Sequence, residues 1–189
     1  MQREFILASA SPRRKEIFEK LCIPFHIATA DVDENIWCAP ADMVRMLSER
    51  KARAAHAQKG KESVYIGADT IVVLHGETLG KPANEQEAAR MLRSLSGRQH
   101  IVLTGVFVLD AASGAHRCSH EETKVFFSEL NEAEISSYIE SQEPMDKAGA
   151  YGIQGLGARF IERIEGCFYN VMGLPINRLW RMLKELRLV

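Results

Sequence analysis

Val64-Tyr65-Ile66-Gly67-Ala68-Asp69-Thr70-Ile71-Val72-Val73-Leu74 is the stretch whose reading decides the fold. It is apolar and β-branched, broken only by Gly67-Ala68-Asp69-Thr70, and this predicts a central strand of a sheet. Upstream, Glu4 to Ala8 reads as another buried strand that runs into Ser9-Ala10-Ser11-Pro12. Ser11 is a good N-cap and Pro12 suits the first helical position, so a helix is expected over 12–21. Phe25 to Ala30 reads as a further strand, followed by an acidic loop, Asp31-Val32-Asp33-Glu34. Met43, Met46, Leu47, Ala54 and Ala57 recur at roughly helical spacing and predict a helix over 42–58.

Downstream of the central run, His75-Gly76 turns into Glu77-Thr78-Leu79, and Gly80-Lys81-Pro82 forms a loop. Asn84 with Glu87 makes a capping box for a helix to about 95, closed by Gly97. His100 to Leu109 and Arg117 to Phe127 form a long antiparallel hairpin around Ala112-Ser113-Gly114. Asn131 and Glu134 repeat the capping pattern for a helix ending before Pro144. A glycine-rich segment, 149–157, precedes a strand near 158–164 and a C-terminal helix over 175–187. Strands followed by helices, with one long hairpin, predict an α/β protein with a mixed, elongated sheet.

Composition limits the function classes. The chain has 189 residues, 46% hydrophobic and 26% charged, which excludes disorder. Its 24 Lys+Arg against 25 Asp+Glu argue against a nucleic-acid binder, which needs an excess of cations facing phosphates. Cys22, Cys38, Cys118 and Cys167 include no C-x-x-C pair, a reduced cytoplasmic pattern rather than a disulfide framework or zinc site. Phe5-Ile6-Leu7-Ala8 is too brief for a signal or membrane segment, and no later run is long enough to cross a bilayer.

Three features carry chemistry. Ser9-Ala10-Ser11-Pro12-Arg13-Arg14-Lys15 puts three cations where a helix dipole favours anions. Each costs up to about 1 kcal/mol unless an anion binds nearby, and hydroxyls with free N–H groups there suit a polyphosphate; the alternative is that the side chains simply reach solvent. The second feature is a dispersed carboxylate set, Asp31, Asp33, Glu34, Asp69 and Asp146. Asp69 interrupts an apolar strand, so burial there demands a partner charge or metal; the alternative is a strand-end turn. For Asp31 and Asp33 a solvated acidic loop is the default. Magnesium keeps waters and substrate oxygens beside one or two carboxylates, so such a set suits a metal–triphosphate.

The third feature is Asp146-Lys147-Ala148-Gly149-Ala150-Tyr151-Gly152-Ile153-Gln154-Gly155. Small residues admit a ligand close to the backbone, and Gln154 offers donor and acceptor to a base edge. Its glycines match neither the dinucleotide nor the phosphate-loop pattern, and a mobile connection explains them equally well. His116, Cys118 and His120 share one strand face at period two, where a solvated hairpin face outweighs metal binding. Cys38 has no identifiable base, and Leu179-Met182-Leu183-Leu186 reads as helix core.

Together these blocks resemble the Maf family, the septum-formation proteins that act as nucleoside triphosphate pyrophosphatases. The likeness runs through Leu7 to Arg14, Glu34, Lys51-Ala52, Gly67 to Thr70, Gly80-Lys81-Pro82, Leu95-Ser96-Gly97, Asp146 to Gly155 and Val171 to Pro175. It implies one Maf-like domain over 1–189. The implied fold is similar to that of the inosine triphosphate pyrophosphatases: two α/β lobes, a long bent mixed sheet flanked by helices, and a central cleft holding the site. One family group acts on dTTP, UTP and related nucleotides, the other on 7-methyl-GTP. The latter resembles Ser-Pro-Trp, Ser-Asp-Gln and Ser-Glu-Gly at three sites that here read Ser11-Pro12-Arg13, Ala68-Asp69-Thr70 and Ile153-Gln154-Gly155. All three side with the dTTP/UTP group.

The resemblance implies Asp69 as general base and, with Glu34, as ligand to a divalent cation, Mg²⁺ or Mn²⁺. It places Arg13, Lys51 and Lys81 on the phosphates beside Ser9 and Ser11, with Arg13, Thr70 and Gln154 setting specificity. The expected partner is a pyrimidine nucleoside triphosphate, in the cytoplasm, with no nucleic acid or membrane, and with a homodimer left open. The rival reading is a nucleotide-binding regulator of cell division whose turnover is incidental.

Overall fold

An unbroken strand spans Val64–Leu74 in the computed structural model of the chain, so Gly67 to Thr70 continue it rather than interrupt it. The structure describes residues 3–29, 31–60 and 62–189. In chain order the elements are β1 (Phe5–Leu7), α1 (Pro12–Glu19), β2 (Phe25–Ile27), α2 (Pro40–Lys59), β3 (Val64–Leu74), β4 (Glu77–Leu79) and α3 (Glu85–Leu95). There follow β5 (Gln99–Asp110), β6 (His116–Phe127), α4 (Glu132–Glu140), three 3₁₀ turns, β7 (Ile161–Glu165), α5 (Phe168–Met172) and α6 (Ile176–Glu185).

Among the described residues these strands form one seven-stranded mixed sheet, ordered β2-β1-β3-β5-β6-β7, with β4 paired to β3. β1 runs parallel to both neighbours, Phe5 opposite Phe25 and Val64, while β4 and β7 pair antiparallel to β3 and β6. The chain groups into two compact units. One comprises Met1–Asp69, Thr104–Glu121 and Gly173–Val189; the other comprises Thr70–Leu103 and Glu122–Met172.

In the first unit, α2 lies directly on glycine. A Cβ on Gly67 would sit 2.0 Å from the Ser48 carbonyl oxygen, and one on Gly105 would sit 2.1 Å from that of Val44. Only residues without a side chain admit so close an approach. The buried face of α2 is therefore Val44, Leu47, Ser48, Ala52 and Ala55. This corrects the expected apolar stripe: of its members only Leu47 is buried, and Met46 is exposed. A face of small side chains lets the helix seat closely, which the larger methionines would prevent.

In the second unit, Ala88, Met91, Leu92 and Leu95 of α3 pack with Ile135, Tyr138 and Ile139 of α4 into one core that also takes in Phe127 and Phe160. Asn131 and Glu134 form the full capping box at α4. At α3 only half of the expected box is present: Asn84 accepts from the Glu87 N–H at 2.9 Å, but the Glu87 carboxylate turns to the Ala83 N–H at 2.7 Å. The strand expected near 158–164 begins at Ile161, because Gly155–Phe160 coils into a 3₁₀ turn first. β2 ends at Ile27, and position 30 of the expected strand lies outside the described residues.

Candidate active site

The central strand positions the first functional group. Asp69 sits in mid-β3 with 7% of its surface exposed, which removes the strand-end alternative. A carboxylate so buried needs a counter-charge, and Lys51 supplies it: its Nζ lies 2.5 Å from Asp69 Oδ1. The same ammonium lies 2.8 Å from Glu34 Oε1. The close seating of α2 on Gly67 explains the geometry, because it brings the helix carrying Lys51 down onto the strand carrying Asp69. The resemblance assigns Lys51 to phosphate; here two carboxylates hold it.

α1 brings up the cationic end. Ser11 caps it, accepting from the Arg14 N–H at 3.4 Å, and its first turn holds no acidic residue. Arg14 does not point into solvent. Its Nε donates to the Gly173 carbonyl at 2.8 Å and its Nη1 to Ser9 Oγ at 3.1 Å. Burial lowers the Arg14 pKa; Asp69 opposes this, Arg13 adds to it, and Glu34 opposes it. Arg14 is thus within electrostatic reach of both carboxylates. Ser9, 7% exposed, also accepts from the Ser11 N–H at 3.3 Å, so both serine oxygens hold the turn in shape.

The first unit therefore gathers Ser9, Ser11, Arg13, Glu34, Lys51 and Asp69, while Thr70, Lys81 and Gln154 belong to the second. There the Gly149 N–H donates to the Gly80 carbonyl at 2.9 Å, tying the glycine-rich segment to the loop that carries exposed Lys81. Thr70 and Gln154 are half-buried. Of the other acidic candidates, the Asp33 carboxylate accepts from the Asn35 N–H at 2.9 Å, and Asp146, in the second unit, pairs with Lys147 at 2.7 Å. On the hairpin strand His116 and Cys118 are exposed and His120 is half-buried; His116 stacks on Phe107 and the Cys118 thiol reaches the Arg45 carbonyl. Among the described residues no three His, Cys, Asp or Glu side chains gather as a ready-made metal cage.

The sequence reads Arg14 only as one of three cations at the helix start and does not foresee its bonds to Ser9 and Gly173. It also misses Tyr138 and Glu143, which bind the segment around Gln154 and match no recognised pattern.

The fold is of the class seen in the Staphylococcus aureus Ham1 protein. The two superpose with a TM-score of 0.53 at 14% identity, covering 84% of this chain and 80% of that one. Within that class, the chain belongs to the Maf family: the model for Maf-like protein matches residues 4–186. A relative from Pelotomaculum thermopropionicum is 52% identical over 185 residues, covering 97% of this chain and 96% of its own. One from Bacillus cereus is 48% identical over 185 residues, covering 97% and 95%. Both carry the name dTTP/UTP pyrophosphatase.

Proposed function

We infer that this chain is a nucleoside triphosphate pyrophosphatase that hydrolyses dTTP and UTP to the monophosphate and pyrophosphate. Full-length relatives of that name support the reaction, and the Glu34–Lys51–Asp69 cluster is the observation that carries the chemistry. In this reading Asp69 takes a proton from water as the water oxygen attacks the α-phosphorus. The α–β phosphoanhydride bond breaks and the pyrophosphate oxygen leaves with the bond pair. Catalysis is mostly positioning and charge neutralisation, with little covalent work for the protein. Arg13, Lys51 and Lys81 meet the phosphate oxygens, Ser9 and Ser11 shape the turn beside them, and Arg13, Thr70 and Gln154 select the base.

The residues fit a divalent cation. Two carboxylates already converge on one positive charge, the Lys51 ammonium, and Mg²⁺ or Mn²⁺ asks for one or two carboxylates with water and substrate oxygens completing its shell. Glu34 and Asp69 would hold it, and when bound it would withdraw charge from the phosphate oxygens. Cytoplasm is part of the same proposal, since four free cysteines, three of them exposed, suit a reducing compartment. No described helix is long and apolar enough to cross a membrane.

The test is pyrophosphate release from a nucleotide panel with Mg²⁺ or Mn²⁺. Turnover concentrated on dTTP and UTP is expected. Preference for 7-methyl-GTP would overturn the specificity, and release of orthophosphate alone would overturn the reaction.

A further inference from the structure

Gln154 lies on a segment with little regular structure, between a kinked 3₁₀ turn at Ala148–Ala150 and another at Gly155–Phe160. An amide that reads a base must be held still, because a floating donor–acceptor pair discriminates poorly. The segment is held from outside by two side chains. Glu143 Oε2 accepts from the Leu156 N–H at 2.9 Å, and Glu143 Oε1 accepts from the Gly157 N–H at 3.1 Å. Glu143 Oε1 also accepts from the Tyr138 hydroxyl at 2.9 Å, and the Tyr138 oxygen accepts from the Gly152 N–H at 3.2 Å. The backbone is therefore tied two residues before Gln154 and two and three residues after it.

The glycines record how closely the pair approaches. Gly155 has φ +74°, and a Cβ there would lie 2.5 Å from Glu143 Oε2. A Cβ on Gly157 would lie 2.6 Å from the Tyr138 hydroxyl. The glycine spacing that matches no phosphate-binding pattern thus suits a carboxylate and a phenol pressed against the backbone. Lys147 Nζ donates to the carbonyl of Glu143 itself at 2.5 Å and steadies the anchor. Burial raises the Glu143 pKa, but the Leu156 and Gly157 N–H groups, the Tyr138 hydroxyl and Lys147 outweigh it and hold the carboxyl low. The acceptor stays ionised, its stronger form for backbone donors.

We propose that Glu143 and Tyr138 are positioning residues that fix the Gln154 amide and so set base discrimination without touching substrate. The proposal rests on the reading of Gln154 as the base-selecting group. Its test compares kcat/KM for UTP and CTP by pyrophosphate release. Glu143→Gln puts an amide N–H against backbone donors and should shrink the UTP:CTP ratio about tenfold, mainly through a higher KM for UTP. Tyr138→Phe keeps its ring 5.1 Å from that of Phe160, preserving the core, and should shrink the ratio about threefold. This second variant carries the test if the first fails to fold.

The deciding measurement repeats both substitutions in a Gln154→Ala background. If the pair acts through Gln154, neither should lower the ratio further. Additive losses there would reveal general loosening and overturn the proposal. So would an unchanged ratio in both single variants while Gln154→Ala alone collapses it. Should Gln154→Ala leave the ratio intact, the base-reading assignment itself fails and the positioning role falls with it.

Discussion

Asp69 and His100 are both polar side chains buried on strands of the sheet, 7% and 2% exposed, and the chain treats them in opposite ways. Asp69 receives a full counter-charge, the Lys51 ammonium, which is shared with Glu34. His100 receives none. Its Nε2 shares a 2.6 Å hydrogen bond with the Tyr151 hydroxyl, while the rings of Phe127 and Tyr151 pack against it at 5.0 and 5.2 Å. Its Nδ1 has no hydrogen-bond partner among the described residues. Burial holds the His100 pKa down to about 4 and pushes the Tyr151 pKa up, so both groups stay neutral. Glu34, largely exposed, leaves one end of the charged cluster open to water. The neutral cluster is sealed from water.

The largest effect expected from this contrast is on turnover. Asp69→Asn keeps the shape of the side chain and leaves Lys51 its contact with Glu34 at 2.8 Å, so the fold should survive. Loss of the proton acceptor should lower kcat roughly a thousandfold, within the range for general-base removal. Calorimetric titration with UTP should still show binding. A variant retaining more than a tenth of wild-type kcat would remove Asp69 from the base role.

Next comes the seating that makes the charged pair. Gly67→Ala drives a Cβ into the Ser48 carbonyl, and because both partners are backbone the helix must lift off the strand. A loss of about 3 kcal/mol in urea unfolding is expected, at the upper end of overpacking costs. Pyrophosphate release should fall with it, because Lys51 rides on that helix. Gly76→Ala serves as the control, since nothing stands within 4 Å of its Cβ position and only its φ of +86° resists substitution.

The charged half was far more legible in sequence than the neutral half, for a physical reason. A carboxylate inside an apolar β-branched run conflicts with its surroundings, and three cations on an uncompensated helix start conflict with the dipole. Such conflicts can be seen one residue at a time. The strand runs, the hairpin and the α4 cap were legible likewise, because each rests on local chemistry. The α2 face was not, since its contact is set by glycines on other strands, Gly67 and Gly105, and not by its own period. Glu143 and Tyr138 carry no signal either. A carboxylate bonded to backbone N–H groups thirteen and fourteen residues away resembles any surface Glu until the chain has folded.

Lys51→Met sharpens the contrast from the cation's side. It leaves Asp69 in the strand interior without its direct partner, and about 2–3 kcal/mol should be lost, just under the usual cost of breaking a buried pair because Arg14 stays within electrostatic reach. Adding Asp69→Asn should return much of that stability in urea melts while activity stays lost. If the double variant is no more stable than Lys51→Met alone, charge pairing is not what keeps Asp69 buried.

The smallest effect belongs to the neutral cluster and appears only with pH. His100 binds a proton near pH 6.5 in the unfolded chain but only near pH 4 when folded. Between those values the unfolded state holds more protons, so stability falls as pH falls through that window and is complete above it. At about pH 5.5 the loss relative to about pH 8 should be roughly 1.4 kcal/mol from this group. His100→Gln cannot titrate in the window, and its unfolding free energy in urea should therefore decline less than the wild type's by that amount. If the two profiles decline alike, the buried imidazole takes its proton without resistance, and the second cluster is no less a charge site than the first.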